Sequence, residues 1–590
     1  MDSSRLFRTS GTAIATAAML ISGCALGSAS PRATAAARAY DAGDGRSSGF
    51  PGFESFGAGG AEGPEGAERP GGSFGSLGRM SDLDHRGGAG AGTDASPAAA
   101  RHDSARTLAP LPAALPPALH RYYAQKLTWH SCGTSGASGF ECATLMAPLD
   151  YDHPREADDL KLAVSRKKAT GAGHAKRLGS LMVNPGGPGG SAVGYLQHYA
   201  GIGYPAAVRA HYDMVAMDPR GVAGSEPVTC LSDTEMDHYT EVDQTPDNAT
   251  ETAELVDAYT KFAEGCAARA GKLLGHVSTI EAARDMDVLR AALDDDKLTY
   301  VGASYGTFLG ATYAGLFPSR VGRLVLDGAL DPALGSEQIN RDQTAGFQTA
   351  FTSFAEDCTR RKDCPLGPSA DRAGDRLSEF FAKADATPLA TGKSRKLTES
   401  LATTGVISAM YDEAAWGLLR NALKAAFAGD GAPLLKLSDA YYERDRQGSY
   451  QNLMYANAAV NCLDLPPAFR SPSEVREAVP AFRKASPVFG TALAWAALTC
   501  GYWSVPATGA PHRIPAAGAA PILVVGTTRD PATPYGWARS LASQLSSGRL
   551  LTYEGDGHTA YTRGSACIDK AINTYLLTST PPPAGQRCSS

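Results

Sequence analysis

Ser304 lies in Gly302-Ala-Ser-Tyr-Gly306, with strand-forming Leu298, Tyr300 and Val301 before it and the apolar run Phe308 to Phe317 after it. A serine where a strand turns into a helix, with glycine two residues to either side, is the pattern of a nucleophile elbow. Such a turn strains the serine backbone, and side chains at the two flanking positions would clash, so glycine is what those positions require. A hydroxyl is a weak nucleophile at neutral pH and needs a base within hydrogen-bond reach, itself oriented by a carboxylate. Asp530, in Thr527-Thr-Arg-Asp-Pro-Ala-Thr-Pro534, and His558, in Gly555-Asp-Gly-His-Thr559, both follow apolar runs that read as strands. Asp556 is closer to His558 along the chain, but in a Gly-flanked turn it reads as a turn former. The chemistry implied is acyl transfer through an ester on Ser304.

That reaction develops an oxyanion, which preorganised backbone donors stabilise. Leu178 to Asn184 reads as a buried strand and runs directly into Pro185-Gly-Gly-Pro-Gly-Gly-Ser191. Glycines let the backbone approach a substrate. Pro188 sets the turn and carries no N–H, which leaves Gly187 as one donor, with Tyr305, directly after the nucleophile, as the other. A phosphate cradle is disfavoured because the loop lacks the Walker lysine and no G-x-G-x-x-G opens a helix. Asp218 and Arg220, in Asp218-Pro-Arg-Gly221, are expected to pin a tight turn and are given no catalytic role.

The elements around these residues alternate. Strands at Leu160 to Arg166, Leu178 to Asn184, Tyr212 to Met217, Leu298 onward and Arg323 to Gly328 are interleaved with helices, one opened by Ser278-Thr-Ile-Glu281. The alternation predicts a mostly parallel sheet covered on both faces. Beyond Asp331 the pattern turns helical, over Ser336 to Asp357, Ser369 to Ala384, Thr398 to Phe427 and Leu434 to Leu463. Strands return at Pro521 to Gly526 and Arg549 to Tyr553. The chain order Ser, Asp, His is that of an α/β hydrolase, so the fold class expected is α/β, an α/β-hydrolase core (108–335 and 516–590) with an inserted helical cap (336–515).

The chain has 590 residues and a net charge of −6 with both signs interspersed, which excludes a basic nucleic-acid surface. Residues 1–24 read as an export signal: Arg5 and Arg8 precede a short apolar stretch, and Leu20-Ile-Ser-Gly-Cys24 resembles a bacterial lipobox, with Cys24 as the lipidated residue. Residues 25–107, rich in Gly, Ala, Ser and Pro, lack the apolar content to offset ordering entropy and read as a disordered tether or pro-segment. Besides Cys24 there are Cys132, Cys142, Cys230, Cys266, Cys358, Cys364, Cys462, Cys500, Cys567 and Cys588. Their connectivity is not deducible from spacing; nearest-neighbour pairing is the expectation, each bridge contributing about 2–4 kcal/mol in an oxidising compartment. No C-x2-C pair or accompanying His pair suggests zinc, and neither metal nor organic cofactor is expected.

Taken together, Pro185 to Ser191, Asp218 to Gly221, Gly302 to Thr307, the Phe317-Pro-Ser-Arg-Val321 run, Arg529 to Pro534 and Gly557-His-Thr559 resemble the exported tripeptidyl aminopeptidases, α/β-hydrolase serine peptidases related to prolyl aminopeptidases. The resemblance spans about Leu108 to Cys588 and extends to cell-wall lipoprotein carboxylesterases. Where prolyl aminopeptidases begin the oxyanion motif with His, this chain has Pro185, which weakens a proline-specific reading. The resemblance implies an enzyme that releases short peptides from free N-termini, with cap acids binding the substrate amine. Asp464, after an apolar helix beside Cys462, and Glu413 are the acids expected there. A carboxylesterase and a non-catalytic cell-wall binding protein are the alternatives.

Overall fold

The computed structural model describes residues 106–133, 138–171 and 176–589. Twelve strands are described: β1 (Arg106–Thr107), β2 (His130–Cys132), β3 (Phe140–Ala147), β4 (Leu160–Lys167), β5 (Gly179–Asn184), β6 (Tyr212–Met217), β7 (Leu298–Ala303), β8 (Val321–Asp327), β9 (His512–Arg513), β10 (Ile522–Arg529), β11 (Gly548–Asp556) and β12 (Arg587–Ser589). Ten of them form one sheet in the order β12-β11-β10-β8-β7-β5-β6-β4-β3-β2. Pairing is parallel from β12 through β6 and antiparallel from β6 to β2. This is the mostly parallel sheet of an α/β-hydrolase fold. β1 and β9 pair separately.

The sheet is covered on both faces, and the residues show how. Along β5, Leu181 and Val183 face one apolar cluster while Met182 faces the other, and β10 splits Leu523 and Val525 from Ile522 and Val524 in the same way. Period-2 alternation between two dry clusters is what a central strand buried on both sides must have.

Chain order and sheet order part company at β5, which has β6 on one side and β7 on the other. At such a switch point the loops after neighbouring strands diverge and leave a crevice. Register brings the last residue of β5, Asn184, opposite Gly302 of β7, and Ala303 opposite Asp327 of β8. The glycine-rich turn, the elbow and the loops after β8, β10 and β11 therefore crowd one edge of the sheet.

Between β8 and β10 the chain forms a helical layer, beginning with Ser336–Thr359 and including Glu399–Met410, Trp416–Phe427, Ala432–Tyr441, Leu453–Asp464, Pro472–Ala485 and Gly490–Ala496. Two stretches read from sequence as mostly helical, Thr398 to Phe427 and Leu434 to Leu463, are each broken, at residues 411–415 and 442–452. A helix from outside the 336–515 expected for the cap packs against this layer. The helix Ala249–Ala270, between β6 and β7, puts Leu255 and Tyr259 into one apolar cluster with Phe469, Val475, Phe482 and Trp495. Phe262 stacks on Tyr239 with ring centroids 4.6 Å apart. Five disulfides join Cys132 to Cys142, Cys230 to Cys266, Cys358 to Cys364, Cys462 to Cys500 and Cys567 to Cys588, the nearest-neighbour pattern.

Candidate active site

Ser304 sits between β7 and the helix Tyr305–Leu316 with φ 56° and ψ −126°, a conformation costly for any residue with a side chain. The flanking glycines are explained by contact. A Cβ on Gly302 would lie 2.3 Å from the Gly306 carbonyl, and one on Gly306 would lie 2.9 Å from the Asn184 carbonyl. The Ser304 amide donates to the Asp327 carbonyl at 2.9 Å, fastening the elbow to β8.

His558 follows β11 and is 1% exposed, and its Nδ1 lies 2.8 and 3.0 Å from the two oxygens of Asp530. Asp530 cannot swing away, because Oδ1 also accepts from the amides of Ala532 and Thr533 and Oδ2 from that of Thr559. A carboxylate so placed makes Nδ1 the protonated nitrogen and leaves Nε2 as the base. Nε2 is buried and has no hydrogen-bond partner among the described residues. It is not hydrogen-bonded to the Ser304 hydroxyl here; such bonds often tighten only when substrate is bound.

The structure adds residues that were not singled out from sequence. Asp327, the last residue of β8, has its carboxylate on the amides of Ala560 and Tyr561, so one residue anchors both the elbow, through its carbonyl, and the loop carrying His558. Burial pushes its carboxyl up to about 6, against the opposing pull of those two amides. Thr533 Oγ1 lies 3.3 Å from His558 Nδ1. The only local signal was an acid closing a short apolar strand, as commonplace in this fold as in others. Asp556 is occupied elsewhere, with Arg529 Nη2 at 2.6 Å.

On the opposite flank the turn after β5 lies against the elbow. A Cβ on Gly186 would come within 2.9 Å of the Tyr305 nitrogen and 3.0 Å of Ser304 Cβ. The Gly186 amide is spent on Asn184 Oδ1 at 2.8 Å, whereas the Gly187 amide has no acceptor among the described residues. Gly187 has φ 117° and precedes a cis peptide to Pro188. Behind this turn Asp218 accepts from Ser191 Oγ, Val193 N and Gly224 N. Arg220, fully buried, pairs with Asp285 at 2.7 Å and donates to three main-chain carbonyls. Both residues therefore hold loops in shape.

The helical layer roofs the site and touches it. At the 411–415 break the Tyr411 carbonyl accepts the His558 amide at 2.8 Å, and the Tyr411 ring stands edge-on to the imidazole with centroids 5.6 Å apart. Next to it Asp412 pairs with Arg563 at 2.9 Å, with side chains 7% and 9% exposed. Of the two acids expected to meet a substrate amine, Asp464 is buried, and both its oxygens accept from Thr279, one from the amide and one from the hydroxyl. Burial pushes its carboxyl up to about 7, the bonds from Thr279 acting in the opposite sense. Glu413 forms no salt bridge among the described residues and lines a cavity of about 670 Å³ with Asp556, Arg529 and Arg420. Burial first and Asp556 second raise its carboxyl above the ordinary value. Cys24 lies outside the described residues.

Comparison with known proteins agrees with this geometry. A family profile described as TAP-like protein matches residues 486–588. The serine protease Hip1 of Mycobacterium tuberculosis is 38% identical over 485 residues, which are 79% of this chain and 91% of that protein. Carboxylesterase B of the same organism is 38% identical over 79% of this chain and 90% of its own length. The tripeptidyl aminopeptidase of Streptomyces lividans is 31% identical over 77% of this chain and 84% of its own.

Proposed function

Since the chain belongs to the TAP-like family of α/β-hydrolase serine hydrolases, we propose that it is an exported aminopeptidase that releases short peptides, chiefly tripeptides, from free N-termini. The observation that carries this reading is the roof: His558 is bonded through its own amide to the helical layer, so the reacting groups lie under a cover that admits a chain end more readily than the middle of a long chain. His558 Nε2 takes the proton of Ser304 as Oγ attacks the scissile carbonyl. The amides of Gly187 and Tyr305 hold the oxyanion. His558 then returns the proton to the leaving amine, and water activated by the same nitrogen hydrolyses the ester on Ser304.

Recognition of a free ammonium calls for a carboxylate where screening is low. Glu413 and Asp464 are the two proposed, Glu413 facing a cavity and Asp464 bonded to Thr279. Export is supported by the five disulfides. No helix among the described residues is long and apolar enough to cross a membrane. Membrane attachment is proposed through acylation of Cys24, and Cys24→Ala should release the protein into the medium or block its maturation.

The test is a digest of matched N-free and N-acetylated peptides by the purified protein, followed by mass spectrometry. Tripeptides released from the N-free series alone are expected. Hydrolysis of small esters without peptide cleavage would favour a carboxylesterase, the name carried by one relative. Glu413→Gln and Asp464→Asn should each be tried on an N-free peptide and on an ester lacking an amine; loss confined to the peptide identifies the amine site.

A further inference from the structure

We propose that the helix Leu453–Asp464 splints the oxyanion pocket from the roof, and that Asn457 is a positioning residue for it. The proposal rests on the assignment of Gly187 and Tyr305 as the two oxyanion donors. The orientation of the Gly187 amide depends on the turn that follows it, and the carbonyl of the next residue, Pro188, accepts from Asn457 Nδ2 at 3.1 Å. Asn457 cannot flip freely, because its Oδ1 accepts from Asn461 Nδ2, one helical turn on, at 3.0 Å. The next residue of the turn, Gly189, lies so close to the helix that a Cβ there would stand 2.4 Å from the Leu453 carbonyl.

The other end of the same helix reaches the second donor. Asp464 accepts from Thr279, whose hydroxyl is 2.5 Å from the Tyr305 hydroxyl, and Tyr305 carries the donor amide next to Ser304. Both ends are themselves fixed. Asn452 bonds to Gly221 and Val228 carbonyls and to the Ala223 amide, and Cys462 is joined to Cys500. One rod, about 18 Å long at 1.5 Å per residue, thus reaches the turn that carries the Gly187 donor near one end and, through Thr279, the side chain of Tyr305 at the other.

Oxyanion donors act in proportion to how well they are placed before the charge develops. Loosening Pro188 should therefore weaken transition-state binding and leave ground-state binding alone. The experiment uses the full-length protein, a small activated ester, a peptide boronic acid that forms a tetrahedral adduct on Ser304, and a product tripeptide. Asn457→Ala should lower kcat about 10-fold with KM unchanged, a fraction of the loss expected for deleting a donor. Boronate affinity should fall by a similar factor while tripeptide affinity stays the same. Asn457→Asp, which turns an oxygen towards the Pro188 carbonyl, should be worse than Asn457→Ala. Asn461→Ala, at an exposed position, should lie between Asn457→Ala and the wild type, and serves if the Asn457 variants do not fold.

Wild-type kinetics in Asn457→Asp, or parallel loss of boronate and tripeptide affinity, would overturn the splint. A wild-type protein to which the boronate does not bind would instead overturn the underlying serine-hydrolase assignment, so the two failures are separable.

Discussion

At the sheet edge, Asp530 is held by His558 Nδ1 and by the amides of Ala532, Thr533 and Thr559, all within the loops after β10 and β11. At the roof, Asn457 reaches the Pro188 carbonyl through one neutral bond, and Tyr411 reaches His558 through another. The sheet thus supplies reacting groups over-determined by charge-assisted bonds, whereas at these two points the roof supplies single neutral bonds, each weaker. The difference separates the groups that react, each held several times over, from the braces that shape their surroundings, each held by a single bond.

The comparison breaks most sharply at the triad. Ser304→Ala and His558→Ala should each lower kcat by about 10⁶, and Asp530→Asn by about 10⁴ with the fold intact, read on the activated ester. An undiminished rate in any of the three would remove that residue from the mechanism. The next effect concerns an ionic contact between the roof and the loop after β11. Removing either partner of the Asp412 and Arg563 pair leaves a buried charge uncompensated and should destabilise the protein by about 3–5 kcal/mol, measured by chemical denaturation. The double change Asp412→Leu with Arg563→Met should recover most of that loss. A double variant as unstable as the sum of the singles would show that the pair is not the determinant.

The last effect lies in pH and unfolds gradually across a window. The Asp464 carboxyl is raised in the fold to about 7 from its usual 3.8. Between those values the unfolded chain has released a proton that the folded chain keeps, so stability falls as pH rises from about 4 to 7 and levels off above. One proton accounts for at most about 1.4 kcal/mol per pH unit. Asp464→Asn should flatten the curve of Tm against pH over that window relative to wild type. Parallel curves would mean that the charge on Asp464 is already compensated in the fold.

How much of this was legible in the sequence follows from where the information lay. The elbow, the glycine-rich turn, Asp530 and His558 each sit a few residues past a strand, and strand-then-turn is written in adjacent residues. The roof contacts were not readable in that way. Thr398 to Phe427 and Leu434 to Leu463 read as mostly helical, without the position of a break, because the halves of each contribute buried apolar residues to the same cluster. The first break has no Gly or Pro; Asp412 makes it by accepting from the Ala414 amide, and Tyr411 completes it on His558, a residue more than a hundred positions away. The second did carry a local sign, Gly448 with φ 93°. The helix Ala249–Ala270 was not singled out from the sequence, although Asn248 caps it and Leu255, Tyr259 and Phe262 stand at helical spacing. Its membership of the roof was not legible there, because that depends on partners in the 469–498 region.

The short parallel pair β1 and β9 bears on what happens when the chain is pulled. Arg106 and Thr107 lie alongside His512 and Arg513, Leu108 fills the space over Gly315, and the Leu111 amide bonds to the Leu316 carbonyl. Tension arriving from residues before 106 therefore enters the domain at two places: the strand by which the helical layer returns to the sheet, and the far end of the helix that begins at Ser304. A pull directed along β1 would load its bonds to β9 together in shear and not one at a time. A load taken up there would enter the domain at the end of the nucleophile's helix remote from the reacting hydroxyl, with the length of that helix between the load and the chemistry.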